Sequence, residues 1–316
     1  MRAPKKILVI GDLILDVFHH GIHIGQSLSH AQTPVALDQS STYTWGGAGF
    51  LVRNILALGG KVSFISSLGV DDFTEQANRF EHPRLKKLFL KTPNKPTIVK
   101  QRFWMGKKNM LGWHRFNNTF ISHALSHVLL ARVRAELPSV SKVVIADYRH
   151  GLLSPALAKE IVEECAHRQT PLYVDSQVSY NNTGNHMWYK EASLFCLNTK
   201  EAQSIDPRFN PKKPETSLLR LQKTLHAQNI VIKLGAQGSI ALIGEKYIKT
   251  DAHAVREMDS TGAGDAFIGA LALGESSPTR EDLERANIWA ALSTTHIGTV
   301  LPSLSEFKTH LKKRRR

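Results

Sequence analysis

Short apolar runs recur along this chain, with stretches of helical spacing between them. The runs lie within Lys5–Asp12, Lys61–Ser66, Val143–Tyr148, Leu172–Asp175, Leu194–Leu197 and Ile230–Lys233. Runs this short read as buried strands. Strands that alternate with helical stretches indicate an α/β fold, a parallel sheet covered by helices on both faces. Ligands of such sheets bind off the carboxyl ends of the strands. The first run ends at Gly11-Asp12, with Asp16 just beyond, and another ends at Asp147. No internal repeat, low-complexity linker or domain break is visible, so one domain over 1–316 is expected.

The chain has 316 residues, 42% of them hydrophobic and 22% charged, which is ordinary globular composition. No apolar run approaches the ~18–20 residues of a membrane span, so no membrane partner is expected. Asp12 and Asp16 interrupt the first apolar region too early for a signal peptide. Cys165 and Cys196 lack metal-type spacing and read as reduced packing residues of a cytoplasmic protein. The net charge of +14 suits either nucleic acid or an enzyme with polyanionic ligands. No zinc-finger spacing, basic heptad region or aromatic RNA-binding motif accompanies it, so nucleic acid is not the expected partner. The tail Lys312–Arg316 reads as a solvated end. His19, His20 and His23 have no carboxylate partners at helical spacing and do not make a metal site.

Asp259-Ser260-Thr261-Gly262-Ala263-Gly264-Asp265 precedes Ala266–Leu273, a buried helix of small and apolar residues. The glycines let backbone N–H groups approach a ligand, and a helix start favours an anion such as phosphate. Asp265 then sits in the first turn beside that anion. A carboxylate there is electrostatically awkward unless it takes a proton from an attacking hydroxyl.

The heptapeptide resembles the signature of the ribokinase-like family of carbohydrate kinases. The resemblance implies an anion hole at Gly262, Ala263 and Gly264, with Asp265 as catalytic base. It implies a three-layer α/β/α sandwich with a mostly parallel central sheet and a small β lid. The lid would come from about 17–44 and 94–118. By the same resemblance Asp12 hydrogen-bonds sugar hydroxyls. Asp16 is either a second such acid or a turn residue. Trp45-Gly46-Gly47-Ala48-Gly49 opens a helix whose apolar face is Leu51, Val52, Ile55 and Leu58, and Gly46 and Gly47 are the family's di-glycine at the sugar. Relatives carry Asn where this chain has Phe50, whereas Asn54, one turn on, is retained for the substrate.

Pro96–Phe103 alternates and resembles the Thr-x-x-Lys-x-Arg strand of bacterial heptose-phosphate kinases. At period two Lys100 and Arg102 share a face, which is either solvated or aimed at a substrate phosphate. Asp147–Leu153 resembles the Asp-Tyr-x-x-Gly-x-Leu of the same kinases, which places Asp147 with the substrate residues. Asp175-Ser176-Gln177 stands where relatives have Asp-Pro-Lys, so a basic contact is missing. Asn198-Thr199-Lys200-Glu201 matches the motif that organises magnesium and phosphate, with Glu201 as metal residue. Lys233, Gly235 and Gly238 belong to a strand and glycine turn on the nucleotide side. Asn287, Ala291 and Gly298 belong to a last segment that is core helix, adenine wall, or both.

The resemblance therefore implies ATP, Mg2+, a monovalent cation as a further candidate, and a homodimer. Three functional readings follow. The chain is a sugar or sugar-phosphate kinase, most like the heptose-phosphate kinases of lipopolysaccharide precursor synthesis. It is a kinase-fold protein without turnover, a reading motivated by Phe50 and Gln177. It is a nucleic-acid binder, motivated by charge alone.

Overall fold

Ile7 and Val9 point to one face of the first strand and Leu8 and Ile10 to the other, and all four are fully buried. A strand covered on both sides needs helices above and below it. The computed structural model has that arrangement, and it describes residues 5–30, 33–178 and 184–314. Positions 31 and 32 of the first lid segment, and Arg315 and Arg316 of the tail, lie outside the described residues.

The strands are β1 (Lys6–Gly11), β2 (Leu13–Gln26), β3 (Pro34–Gly47), β4 (Lys61–Leu68), β5 (Leu85–Lys91), β6 (Val99–Met105), β7 (Lys108–Arg115), β8 (Lys142–Asp147), β9 (Leu172–Ser176), β10 (Leu194–Asn198), β11 (Asn229–Lys233), β12 (Ser239–Ile243) and β13 (Lys246–Thr250). The helices are α1 (Ala48–Ala57), α2 (Thr74–Asn78), α3 (His123–Glu136), α4 (Pro155–His167), α5 (Thr199–Ile205), α6 (Pro214–Leu225), α7 (Ala263–Ala272), α8 (Arg280–Ser293) and α9 (Leu304–Arg314).

The large sheet runs β13-β12-β11-β10-β9-β8-β1-β4-β5. Its strands from β11 to β5 are parallel, and β12 and β13 add an antiparallel edge. Helices α3, α4 and α6 cover the face of Leu8 and Ile10. Helices α1, α7 and α8 cover the face of Ile7 and Val9. Strand order reverses between β1 and β8, which makes their carboxyl ends the switch point where open α/β sheets bind ligands. Ser154 accepts from the Leu157 N–H and Pro155 opens α4, the cap expected there.

The second sheet, β3-β2-β6-β7, is built from the segments expected to form the lid. Its first two strands are longer and more continuous than the loose pieces expected over 17–44. Each has 14 residues, and β2 starts at Leu13 because Leu13, Ile14, Leu15 and Val17 are all buried. Residues 304–314 form α9, whose Phe307 is buried edge-on against Trp289 with ring centroids 5.1 Å apart.

Asn54 does not face a substrate. It lies fully buried between α1 and α8. Its amide donates to the Phe50 carbonyl at 2.8 Å, and its oxygen accepts from the Trp289 indole N–H at 2.7 Å. Asn54→Ala should cost about 1–3 kcal/mol, because it leaves the indole N–H unpaired in the core. Chemical denaturation measures this, with KM for the sugar expected to stay put. Unchanged stability with a raised KM would return Asn54 to the substrate site.

Candidate active site

Asp12 follows β1 directly and is almost fully buried. Its Oδ2 accepts from the backbone N–H groups of Tyr148, 3.0 Å, and His150, 3.2 Å. Its Oδ1 is buried without a hydrogen-bond partner. Burial first, then the Asp147 charge, pushes the Asp12 carboxyl up, against the pull of those two N–H groups and Lys95. An acid with one orphaned oxygen can accept a ligand hydroxyl.

Gly46 and Gly47 run past this acid. Gly46 has no room for a side chain, since a Cβ there would lie 1.9 Å from Asp16 Oδ2. Asp16 is no turn residue. It is a buried member of β2, in register with Lys100 on β6. Arg102 reaches back along the same face to Asp16 Oδ1 at 2.7 Å and lies over the Phe18 ring. Lys100 makes no hydrogen bond or ion pair among the described residues. Burial lowers its pKa, while Asp16, Asp12 and Asp265 raise it. Of the two expected phosphate contacts, Arg102 is thus already paired and Lys100 is not.

Opposite the two acids, α7 begins. Gly262 is its N-cap with φ +79, a backbone setting that suits glycine. A Cβ there would also meet the Phe50 ring at 2.5 Å. Phe50 is therefore a buried apolar brace beneath the loop. Asp259 closes the loop from its other end. Its Oδ1 accepts from the Thr261 N–H and hydroxyl, and its Oδ2 accepts from the Gly298 N–H at 2.8 Å. Gly298 accordingly braces the loop and does not line the cleft between Lys233 and Asn287. The Ala263 N–H donates to the Ser260 carbonyl at 3.1 Å. That removes Ala263 from the expected donor set. The N–H groups of Gly262, Gly264 and Asp265 have no partner among the described residues.

Asp265 stands in the first turn of α7 with only 8% of its surface exposed. The Tyr148 hydroxyl donates to its Oδ1 at 2.5 Å. Burial pushes its pKa up to about 7. The Tyr148 hydrogen bond opposes this, Asp175 adds to it, Lys233 opposes it and Asp16 adds to it. Lys233 Nζ bridges both Asp175 oxygens at 3.0 and 3.1 Å, and a Cβ on Gly264 would lie 3.4 Å from it. Lys233 thus supplies a cation beside Asp175, where Gln177 does not. Burial lowers the Lys233 pKa, but Asp175, Cys196 and Glu201 outweigh it and hold it above the ordinary value.

On the far side of Gly264 opens a cleft of about 410 Å³. Lys233, Gly235, Gly238, Asn287 and Ala291 all line it. Val255 and Phe267 add apolar wall that the sequence did not suggest. The Asn287 amide is spent on Thr250 and Ser239, which ties α8 to the β12–β13 edge.

Two expected site groups belong elsewhere. Asp147 is not free for substrate. Its Oδ2 accepts from Asn185 and Tyr189 at 2.6 Å each, and its Oδ1 accepts from the Arg149 N–H. Asn198 and Glu201 do not line the cleft but form a capping box on α5. Both Glu201 oxygens accept from Asn198, at 2.6 and 2.7 Å. Burial pushes the Glu201 carboxyl up, although Lys233 opposes it. No group of three or more His, Cys, Asp or Glu able to hold a metal occurs among the described residues.

The match that decides the family covers residues 4–306 and is to the pfkB family of carbohydrate kinases. The chain belongs to that family. It is a phosphotransferase acting on a sugar hydroxyl, with ATP as donor. The kinase is 28% identical over 321 residues to the bifunctional protein HldE of Campylobacter curvus (strain 525.92), covering 99% of this chain and 66% of that protein. It is 29% identical over 314 residues to the HldE of Campylobacter concisus (strain 13826), covering 98% and 65%. The chain thus spans just under two thirds of these relatives' length. Its fold is that of Escherichia coli phosphofructokinase-2 in complex with potassium, with TM-score 0.80, 16% identity and 99% and 100% coverage. An Arabidopsis thaliana ribokinase complexed with ribose and ATP matches with TM-score 0.70, 17% identity and 98% and 99% coverage.

Gly262→Ala tests the loop. The added methyl meets the Phe50 ring and the residue must keep a positive φ. We expect kcat to fall at least about 10-fold, the lower end of the cost of a misplaced oxyanion donor, with nucleotide affinity changing less. Steady-state kinetics with calorimetric ATP titration checks this. Native kcat would mean that the loop does not hold the transferring group.

Proposed function

We propose that this kinase phosphorylates a sugar that already carries a phosphate, and that a heptose 7-phosphate is its substrate. Lys100 carries the reading. It is a partly buried ammonium under the lid, without an ion-pair partner among the described residues, on the strand face that holds Asp16. A cation so placed suits a substrate anion. The Lys100–Arg102 strand and the Asp147–Leu153 turn resemble heptose-phosphate kinases, and the HldE relatives agree with that direction.

In this reading the nucleotide lies in the 410 Å³ cleft and the sugar lies against Asp12, Gly46 and Gly47. Asp265 takes the proton of the sugar hydroxyl, which is the anomeric one in a heptose 7-phosphate. The hydroxyl oxygen bonds to the γ-phosphorus, the bond to the β,γ-bridging oxygen breaks, and ADP leaves. The N–H groups of Gly264 and Asp265, with Lys233 beside them, stabilise charge on the transferring oxygens. Glu201 does not fit the expected Mg2+ ligand, because both its oxygens are taken by Asn198 in the α5 cap, so Mg2+ would arrive on the nucleotide phosphates. The ion would neutralise phosphate charge. A homodimer through the lid is the assembly we favour, since Ile22, Ile24, Leu37, Leu111 and Trp113 stand exposed there. ATP as donor and two free buried cysteines suit a cytoplasmic enzyme.

The non-catalytic reading loses its motive. Phe50 braces the loop instead of meeting the sugar, and Lys233 makes up the cation at Asp175.

An ATP-consumption screen over sugars and sugar phosphates, with heptose 7-phosphate included, tests the proposal. We expect heptose 7-phosphate to be used and unphosphorylated heptose not. Lys100→Ala should raise KM for the phosphosugar about 10-fold or more, the scale of one charge-assisted hydrogen bond. Equal use of phosphorylated and free sugars by the wild type would refute the phosphate site.

A further inference from the structure

Tyr148 touches both halves of the site. Its backbone N–H donates to Asp12 Oδ2 at 3.0 Å, and its hydroxyl donates to Asp265 Oδ1 at 2.5 Å. It directly follows β8, next to the reversal of strand order. Asp265 Oδ2 makes no hydrogen bond among the described residues. One oxygen of the carboxylate is thus held and the other is open.

We propose that Tyr148 is a positioning residue for phosphoryl transfer: its hydroxyl occupies Asp265 Oδ1, fixes the carboxylate plane and leaves Oδ2 to receive the acceptor's proton. This rests on the kinase reading above. During transfer the acceptor O–H gives its proton to Oδ2 while its oxygen bonds to the γ-phosphorus and ADP departs. The Tyr148 proton stays on Tyr148. Burial, and then the Asp265 charge, hold the phenol well above its ordinary pKa, so it remains a neutral donor across the working range. The same loop sets Asp12, so the sugar-side acid and the base move as a unit.

The groups acting on Asp265 come from four strands and the turn after β8. Tyr148 follows β8, Asp175 lies on β9, Lys233 on β11, Asp16 on β2 and Lys100 on β6. Tyr148 and Lys233 favour the carboxylate, and Asp175 and Asp16 oppose it. A hydrogen bond to the charged form lowers an acid's pKa, so removing the donor must raise it. The base works deprotonated, above its pKa. Losing the Tyr148 hydroxyl should therefore cut the rate below the new midpoint and spare it at high pH. A purely structural role would lower the rate by the same factor at every pH.

The experiment compares wild type with Tyr148→Phe. One arm follows kcat/KM against pH with ATP and heptose 7-phosphate. The other titrates the Asp265 carboxyl carbon by NMR in protein labelled at aspartate, assigned with Asp265→Asn, and needs no sugar. We expect the wild-type midpoint at about 7. In Tyr148→Phe it should rise by about one unit in both arms, with about a tenfold loss at pH 6.5 that fades by pH 9. Tyr148→Leu, also without a donor, should shift the midpoint the same way, and serves if the first variant folds poorly. A wild type that transfers phosphate and variants whose midpoint does not move would overturn the role of Tyr148 alone. A wild type that transfers to no phosphosugar would overturn the phosphosugar reading, while an unmoved NMR midpoint in the variants would still overturn the role of Tyr148.

Discussion

A carboxylate buried in the first turn of a helix is the constraint on which this structure turns. Asp265 is buried, and acids in that position drift towards the neutral form. The Tyr148 hydroxyl and Lys233 act against that drift. The backbone at Gly262 must take a positive φ for α7 to begin there, and Phe50 fills the space beneath it. Asp259 fastens the loop to Gly298, behind which lies Phe18 of the lid. The base, the donors and the lid are thus linked through a few short contacts.

The lid follows from the same economy. β2 leaves the end of β1 after a single residue, Asp12, so the sugar-side acid lies where the two sheets meet. Asp16, one turn of pleat further, is neutralised by Arg102 across the strand pair. That pairing leaves Lys100 as the cation on the strand face without a partner.

How much of this was legible depended on the range of the interaction. The α/β fold could be read because β1 carries its own evidence: four consecutive apolar residues that must be covered on both faces. The loop before Asp265 could be read because its glycines, its acid and its helix are contiguous. Asn287 and Ala291 share one helix, and both line the same cleft. The misassigned residues owe their roles to partners far away in sequence. Asn54 is fixed by Trp289, Asp147 by Asn185 and Tyr189, and Gly298 by Asp259. Nothing near Asn54 in the chain announces an indole N–H that needs an acceptor. Asn198–Glu201 shows a second limit, since a capping box and a metal motif share one spacing. Tyr148 lay in plain view in its Asp-Tyr turn, but its hydroxyl acts on a residue 117 positions away.

The account stands or falls on Asp265 as the base. Asp265→Asn keeps the shape and removes the proton acceptor. Single-turnover phosphoryl transfer, with ATP affinity measured by calorimetry on the same protein, tests it most directly. The predicted result is a fall in kcat of about 10²–10⁴-fold, the usual contribution of a general base, with ATP affinity kept, because the donors to phosphate are backbone groups. Near-native turnover by Asp265→Asn with its sugar would contradict the account.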